Sequence, residues 1–260
     1  MDLVPRRARP ADQAAILLAA LARARAGGRA AIAALDLDST LLDNRPRQAE
    51  ILRDYGRFAG IPALGAVGPE HLQGWDLERA LRNAGLSRGE VDLHAAAVRR
   101  FWEERFFTNG YCRLDVPVPG SAAFARAVRA TGCRIAYVTG RPTAMEAGTL
   151  HVLRRFGFPL PDGVTVFLLM KPGEALRDDA WKAIARDEVG GLGRPVLAVD
   201  NEPAHVNAYA RAWPEALVVH VDTDDSGRPV EVDRAIPSVA DLALPDALSD
   251  DAADARAGAP

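Results

Sequence analysis

Apolar and small residues in this chain come in short unbroken runs that alternate with stretches of helical spacing. Residues 11–26 form the first helical stretch, with Ile16, Leu17, Ala20 and Leu21 on one face and Gly27-Gly28 as its stop. Residues 30–35 follow as an apolar run without polar alternation. That is the pattern of a strand in a parallel sheet whose two faces are both covered. Residues 133–138, 164–170, 195–199 and 216–221 repeat the pattern, and helical stretches 121–131, 143–156, 178–189 and 203–213 separate them. The alternation predicts an α/β fold: a doubly wound, mostly parallel, Rossmann-like sheet of five strands or more.

One block breaks the alternation. From Arg47 to Tyr111 there is no strand signal. Ile51, Leu52, Tyr55 and Phe58 recur at helical spacing until Gly60-Ile61-Pro62 stops them. A second helix is predicted over 69–83, with Pro69 in its first turn. A third starts at Ser87, where Glu90 completes a capping box, and carries Val91, Ala95, Val98, Phe101, Trp102 and Phe106. Roughly sixty residues is too long for an ordinary strand-to-helix connection. The block therefore reads as an inserted all-helical cap, residues 47–111, in a core made of 1–46 and 112–248. Trp75 and Trp102 are assigned to the interior of that cap. Residues 249–260 are mostly Ala, Asp and Gly with little to bury, and are predicted to be a disordered tail.

Composition narrows the functional classes. The chain has 260 residues, 48% apolar and 26% charged, with a net charge of -3, so no strong field draws it to nucleic acid or a membrane surface. No run approaches the ~20 apolar residues of a membrane span. Arg6 and Arg7 ahead of residues 14–22 raise the question of an export signal. Asp12, Gln13 and the arginines from Arg23 onward favour an amphipathic helix instead. Cys112 and Cys133 lack metal-ligand spacing and read as free thiols of a reducing, cytoplasmic compartment. The five histidines show no ligand spacing either. Of the 32 basic residues only Lys171 and Lys182 are lysine. A lysine kept among arginines marks a candidate for a close, single-point ammonium contact.

The candidate chemistry sits at strand ends. Asp36 and Asp38 close the first strand, Thr139 and Gly140 the second, and Asp200 with Asn201 and Glu202 the fourth. In a parallel sheet these ends share the edge where open α/β folds bind ligands. Two carboxylates two residues apart on an extended chain point the same way, and such crowding calls for a cation or a proton between them.

The ordered segments Asp36-Leu37-Asp38-Ser39-Thr40, Tyr137-Val138-Thr139-Gly140-Arg141, Lys182 and Val199-Asp200-Asn201-Glu202 resemble the four motifs of the haloacid dehalogenase superfamily of phosphotransferases, over residues 30–222. The resemblance implies a phosphatase acting on a small phosphorylated metabolite. Asp36 would be the nucleophile that forms an aspartyl-phosphate, and Asp38 the general acid and then base. Magnesium would be held by Asp36, the backbone carbonyl of Asp38, Asp200 and, as a second acid, Glu202, although Asn201 competes for that place. Thr139, Gly140 and Lys182 would hold the phosphoryl group. Lys171 is the alternative to Lys182, or a substrate contact. Arg141 is either a substrate contact or an exposed loop residue, and Asn44 and Arg45 would line the entrance. Competing readings are a nucleic-acid end phosphatase, suggested by the run from Leu169-Met170-Lys171-Pro172-Gly173 to Lys182, a phosphomutase, and a non-catalytic binding scaffold. The large insert and the acidic balance argue against nucleic acid. The sequence is silent on oligomeric state.

Overall fold

The computed structural model describes residues 11–173 and 175–245. Arg6, Arg7 and the predicted tail 249–260 lie outside the described residues. The core opens with α1 (Gln13–Gly27) and β1 (Ala31–Leu35), and a short strand β2 (Leu42–Asp43) follows. The helical block holds α2 (Arg45–Ala59), α3 (Leu77–Asn83), α4 (Arg88–Phe106) and α5 (Asn109–Cys112). The chain returns through β3 (Val116–Pro117), α6 (Ser121–Ala130), β4 (Arg134–Pro142), α7 (Glu146–Arg155) and β5 (Val166–Lys171). It ends with α8 (Asp178–Leu192), β6 (Arg194–Asp200), α9 (Pro203–Ala212), β7 (Leu217–Val221) and β8 (Ser238–Val239).

Six strands pair in parallel in the order β5-β4-β1-β6-β7-β8. The chain therefore winds outward from β1 in one direction and then returns to its other side, which makes the edge beside β1 a topological switch point. The sixth strand, β8, has only two residues and no apolar run to announce it.

Side-chain alternation assigns the helices to faces. Ala31, Ala33 and Leu35 of β1 pack with α1, α6 and α7 through Leu17, Phe124, Val128 and Val152. Ile32 and Ala34 face the other way, toward Trp181 and Ala185 of α8 and Val206 and Tyr209 of α9. Asp36 continues the parity of Ile32 and Ala34, so it belongs to the α8 face. On β6, Ala198 lies on that face and Asp200 shares its parity. Leu35 is paired with Val199, and the Asp36 amide donates to the Val199 carbonyl at 2.9 Å, which sets Asp36 level with Asp200.

The helical block has its own apolar cluster, including Leu52, Tyr55, Leu64, Leu81, Val91 and Val98. Its two connections to the core run side by side as an antiparallel ribbon, Leu42 opposite Pro117 and Asp43 opposite Val116. Ser87 caps α4, accepting from the Glu90 amide while Glu90 accepts from the Ser87 amide. The predicted helix 69–83 is instead broken into a short turn, Pro69–His71, and α3. Gly74 has φ +55, and a Cβ there would lie 2.8 Å from the Asp225 carbonyl, so the chain turns at this point and restarts at Asp76, which caps α3. Phe58, the last apolar residue of the helical spacing in α2, does not join the cluster. It is 79% exposed and rests on the outside of α2 against Phe101. Trp75 is 39% exposed, with its ring edge-on to Trp102 and Phe106.

Gly120 starts α6 with φ +77, and a Cβ there would meet the Ala243 Cα at 2.2 Å. Both the backbone angle and the contact exclude a side chain. Gly120→Ala should cost more than about 2 kcal/mol and lower the melting temperature without altering residues of the site.

Candidate active site

The carboxyl edge of β1, β4 and β6 gathers a compact set of buried charges. Lys182, on the inner side of α8, points its Nζ between two acids: 2.5 Å from Asp36 Oδ1 and 2.9 Å from Asp200 Oδ2. It also donates to the Val138 carbonyl at 3.0 Å. Asp36 and Lys182 are each 6% exposed and Asp200 1%. Neighbouring Trp181 donates its indole N–H to the Thr139 carbonyl at 2.7 Å, which fixes α8 against the end of β4. Thr40 donates to Asp36 Oδ2 at 2.7 Å, and Asn201 Oδ1 lies 3.0 Å from the same hydroxyl.

The electrostatics follow from this crowding. Burial, with the charges of Asp200 and Asp38, outweighs Lys182 and pushes the Asp36 carboxyl up to about 7. Burial opposes ionisation of Asp200 as well, but Lys182, His205 and the Glu202 amide hold its carboxyl well below the usual range. Burial disfavours the Lys182 charge too, yet the two acids raise its affinity for the proton. The ammonium is a fixed cation.

Asp38 occupies a second cluster. Arg141 grips it with both arms of its fork, Nε at 2.8 Å from Oδ2 and Nη2 at 2.9 Å from Oδ1. Arg47 adds a third contact at 2.8 Å, and Asn44 and Thr139 approach at 3.3 Å. Behind them Asp115, fully buried, accepts from Arg141 Nη2 at 2.7 Å. Arg47 Nε lies 3.0 Å from Asp115 Oδ1 without the alignment of a hydrogen bond. The guanidiniums more than offset burial at Asp38 and hold its carboxyl well below the usual range. Burial pushes the Asp115 carboxyl up to about 6 against the same two cations. Arg141 is 2% exposed, so of its two sequence readings the exposed loop residue is excluded. Arg47 and Asp115 escaped sequence reasoning, although Arg47 stands four residues before Ile51 on the buried stripe of α2.

The turn that carries these acids is strained. Ser39 has φ +59, the left-handed region that non-glycine residues rarely adopt. Its carbonyl accepts a short hydrogen bond from the Thr223 hydroxyl. Thr223 to Gly227 in turn forms one wall of a cleft of about 440 Å³, and Gly74, Trp75, Arg79 and Arg99 of the helical block line the other.

Other predicted residues stand apart. The Glu202 carboxylate accepts from the Ser226 amide and hydroxyl and from Arg228 at 2.9–3.0 Å, so it fastens the 223–228 loop and does not face Lys182. Only its amide reaches Asp200, at 2.9 Å. Asn201 turns to Thr40 and to the Asp224 carbonyl. Lys171 pairs with Asp178 at 3.3 Å, and the same Asp178 carboxylate lies against Gly140, where a Cβ would be 2.3 Å from it. Lys182, not Lys171, meets Asp36. Arg45 is held by Asp43 at 2.7 Å.

The donor set suits a hard divalent cation. Asp36 and Asp200 lie level on one face, and the Asp38 carbonyl is two residues along the same turn. No group of three or more His, Cys, Asp or Glu side chains forms a metal cage among the described residues. A cation here would rely on two carboxylates, a carbonyl, water and substrate oxygens, which is the habit of magnesium.

Fold and site together define an α/β domain with an acid–ammonium–acid constellation at the carboxyl edge of a parallel sheet. No family model matches the chain, and no curated protein does. Among solved structures it is similar to protein tyrosine kinase A of Mycobacterium tuberculosis, at 20% identity over 86% of this chain and 98% of that one, with a TM-score of 0.46. It is also similar to CbbY from Rhodobacter sphaeroides in complex with phosphate, at 16% identity over 82% and 95%, TM-score 0.47. A haloacid dehalogenase-like family hydrolase from Streptococcus pneumoniae shares 13% identity over 74% and 84%, TM-score 0.43. All three are distant, and the functional reading rests on the geometry above.

Proposed function

We propose that the chain is a magnesium-dependent phosphomonoester hydrolase of haloacid dehalogenase type, acting on a small phosphorylated substrate. The observation that carries this reading is the Lys182 ammonium between Asp36 and Asp200, beside Thr139, at the carboxyl edge. Asp36 attacks phosphorus. A bond forms from its carboxylate oxygen, the bond to the leaving oxygen breaks, and an aspartyl-phosphate results. The fixed charge of Lys182, the Thr139 hydroxyl and the Gly140 amide stabilise the phosphoryl oxygens. A water then attacks the phosphorus and gives its proton to Asp38, the bond from phosphorus to the Asp36 oxygen breaks, and inorganic phosphate leaves with the Asp36 carboxylate restored. Arg141 and Arg47 hold Asp38 as an acceptor, which suits this second step. To protonate the leaving oxygen in the first step, Asp38 must be loaded with a proton as one of those contacts loosens. Asp36, Asp200 and the Asp38 carbonyl would hold magnesium, which when bound offsets the crowded negative charge and polarises the phosphoryl group.

We assign the leaving group to the side of the cleft between the helical block and residues 223–227, whose Thr223 hydroxyl bonds the Ser39 carbonyl of the acid-bearing turn, with residues 47–111 acting as a cap. We assign the enzyme to the cytoplasm, in keeping with two buried free thiols. Among the described residues no helix is long and apolar enough to cross a membrane. Phosphate release from a panel of sugar phosphates, nucleotides and 3′-phosphorylated oligonucleotides, with magnesium and with EDTA, tests the reading. Magnesium-dependent release from a small metabolite is expected. Absence of release from every member, together with no binding of beryllium fluoride, would sink it.

Glu202 supplies a sharper check on the ligand set. Because its carboxylate is spent on Ser226 and Arg228, Glu202→Gln should keep activity within about tenfold of wild type and leave the apparent magnesium affinity unchanged. Asp200→Asn should lose the magnesium response.

A further inference from the structure

At the opposite edge of the sheet, where the strands begin, lies a groove of about 900 Å³. Arg29, Arg126, Arg129 and Arg134 line it, with Pro159 and Val164 forming an apolar wall. The four arginines come from three places in the chain. Arg29 precedes β1, Arg134 opens β4, and Arg126 and Arg129 lie in the second half of α6. The five residues of β1 separate the groove from Asp36, about 17 Å at the usual strand rise.

Among the described residues none of the four forms an ion pair, and no carboxylate lines the groove. Scarcity of acids is not the reason, since the chain carries 35 acids to 32 bases. The acid on the neighbouring loop, Asp162, is spent on its own turn. It accepts from the amides of Val164, Thr165 and Val166 at 2.7–2.9 Å and from the Thr165 hydroxyl at 2.6 Å. Two forks are oriented by carbonyls: Arg126 donates to Gly157 at 3.0 Å and Arg134 to Ala30 at 3.3 Å. Arg134 Nε is a buried donor without a partner. The α6 dipole accounts for Arg129, in the last turn, but not for Arg29, in the turn before β1, or for Arg134, at the start of β4. Gathering like charges is unfavourable unless an anion completes the set. Guanidinium forks match phosphoryl oxygens two at a time.

We propose that this groove is a second anion-binding site, remote from the carboxyl edge, that takes a small molecule with two linked phosphoryl groups and rests its apolar part on Pro159 and Val164. The volume lies in the range of small-molecule sites. The site is independent of the hydrolase reading.

Titration calorimetry of the full chain with methylenediphosphonate and with adenosine 5′-methylenediphosphonate, neither cleavable at its P–C–P link, tests it. Arg29 and Arg129 make no ion pair, so Arg29→Ala/Arg129→Ala should fold as wild type does, and an unchanged melting temperature checks this. In that variant the dissociation constant should rise at least about tenfold for both probes. The adenosine probe should bind wild type more tightly than the bare diphosphonate and lose that advantage in Val164→Ser. Unaltered affinity in the folded double variant, or no binding by wild type at millimolar probe, overturns the proposal.

Discussion

Asp36→Asn should reduce hydrolysis of para-nitrophenyl phosphate by at least about a thousandfold, equivalent to about 4 kcal/mol of barrier. Asparagine keeps the shape of the side chain but has no carboxylate to form the aspartyl-phosphate. The same substitution has a signature that a loss of folding would not produce. In the metal-free protein the Asp36 carboxyl is pushed up to about 7 from its ordinary value near 4. The folded state therefore binds more protons than the unfolded state across that interval. Stability from this group is fully present below about pH 4 and is lost as pH rises toward 7. In EDTA, wild type should show a downward slope of melting temperature over that window, and Asp36→Asn should make it shallower, the raised Asp115 carboxyl keeping the remainder. Substantial residual turnover would exclude Asp36 as nucleophile, whatever the melting curves show.

Arg141→Met should be the most damaging substitution for the fold among the site residues. Arg141 makes three close contacts with two acids, at 2.8 and 2.9 Å to Asp38 and 2.7 Å to Asp115. Asp115 is fully buried, so without Arg141 it keeps only the poorly aligned Arg47. Removing one partner from a buried charge set costs about 3–5 kcal/mol, which for a chain of this size lowers the melting temperature by roughly 6–20 °C. Arg141→Lys should recover little, because an ammonium cannot reproduce the two-armed grip. The pair Arg141→Met/Asp115→Leu should regain part of the loss, since the orphaned acid goes with the cation. An Arg141→Met protein within 1 °C of wild type, in about the same buffer, would contradict the network.

The central sheet was readable because buried parallel strands are unbroken apolar runs, and such runs end where the fold places its ligands. Asp36, Asp200 and Thr139 follow from that rule alone. The rarity of lysine in an arginine-rich chain marked Lys171 and Lys182 alike, and the resemblance to the family motif favoured Lys182, which α8 turns inward beside Trp181. The Asp38 cluster was only half readable. Arg47 belongs to the helical block, where Arg45, Arg53 and Arg57 mask it, and nothing in sequence separation links it to Asp115 or Arg141. Glu202 follows Asp200 closely enough to invite a ligand role, yet the loop from Thr223 to Arg228 claims its carboxylate. That loop carries no periodicity, so its hold on Glu202 and Asn201 is a purely tertiary fact. The break at Gly74 has the same origin, because the obstacle is a carbonyl from Asp225.

The ribbon of β2 and β3 has a consequence for how the molecule could be dissected. Because Leu42 faces Pro117 and Asp43 faces Val116, everything between them leaves and rejoins the sheet through a single gate one strand-spacing wide. A two-residue hairpin would bridge that gate. Such a miniature would keep Asp36, Asp38, Thr139, Arg141, Lys182 and Asp200, and would surrender Asn44, Arg47 and Asp115 from around Asp38 and Arg141. If the hydrolase proposal holds, grafting a foreign helical module onto the same two strands should change which substrates are accepted while Asp36, Lys182 and Asp200 stay in place.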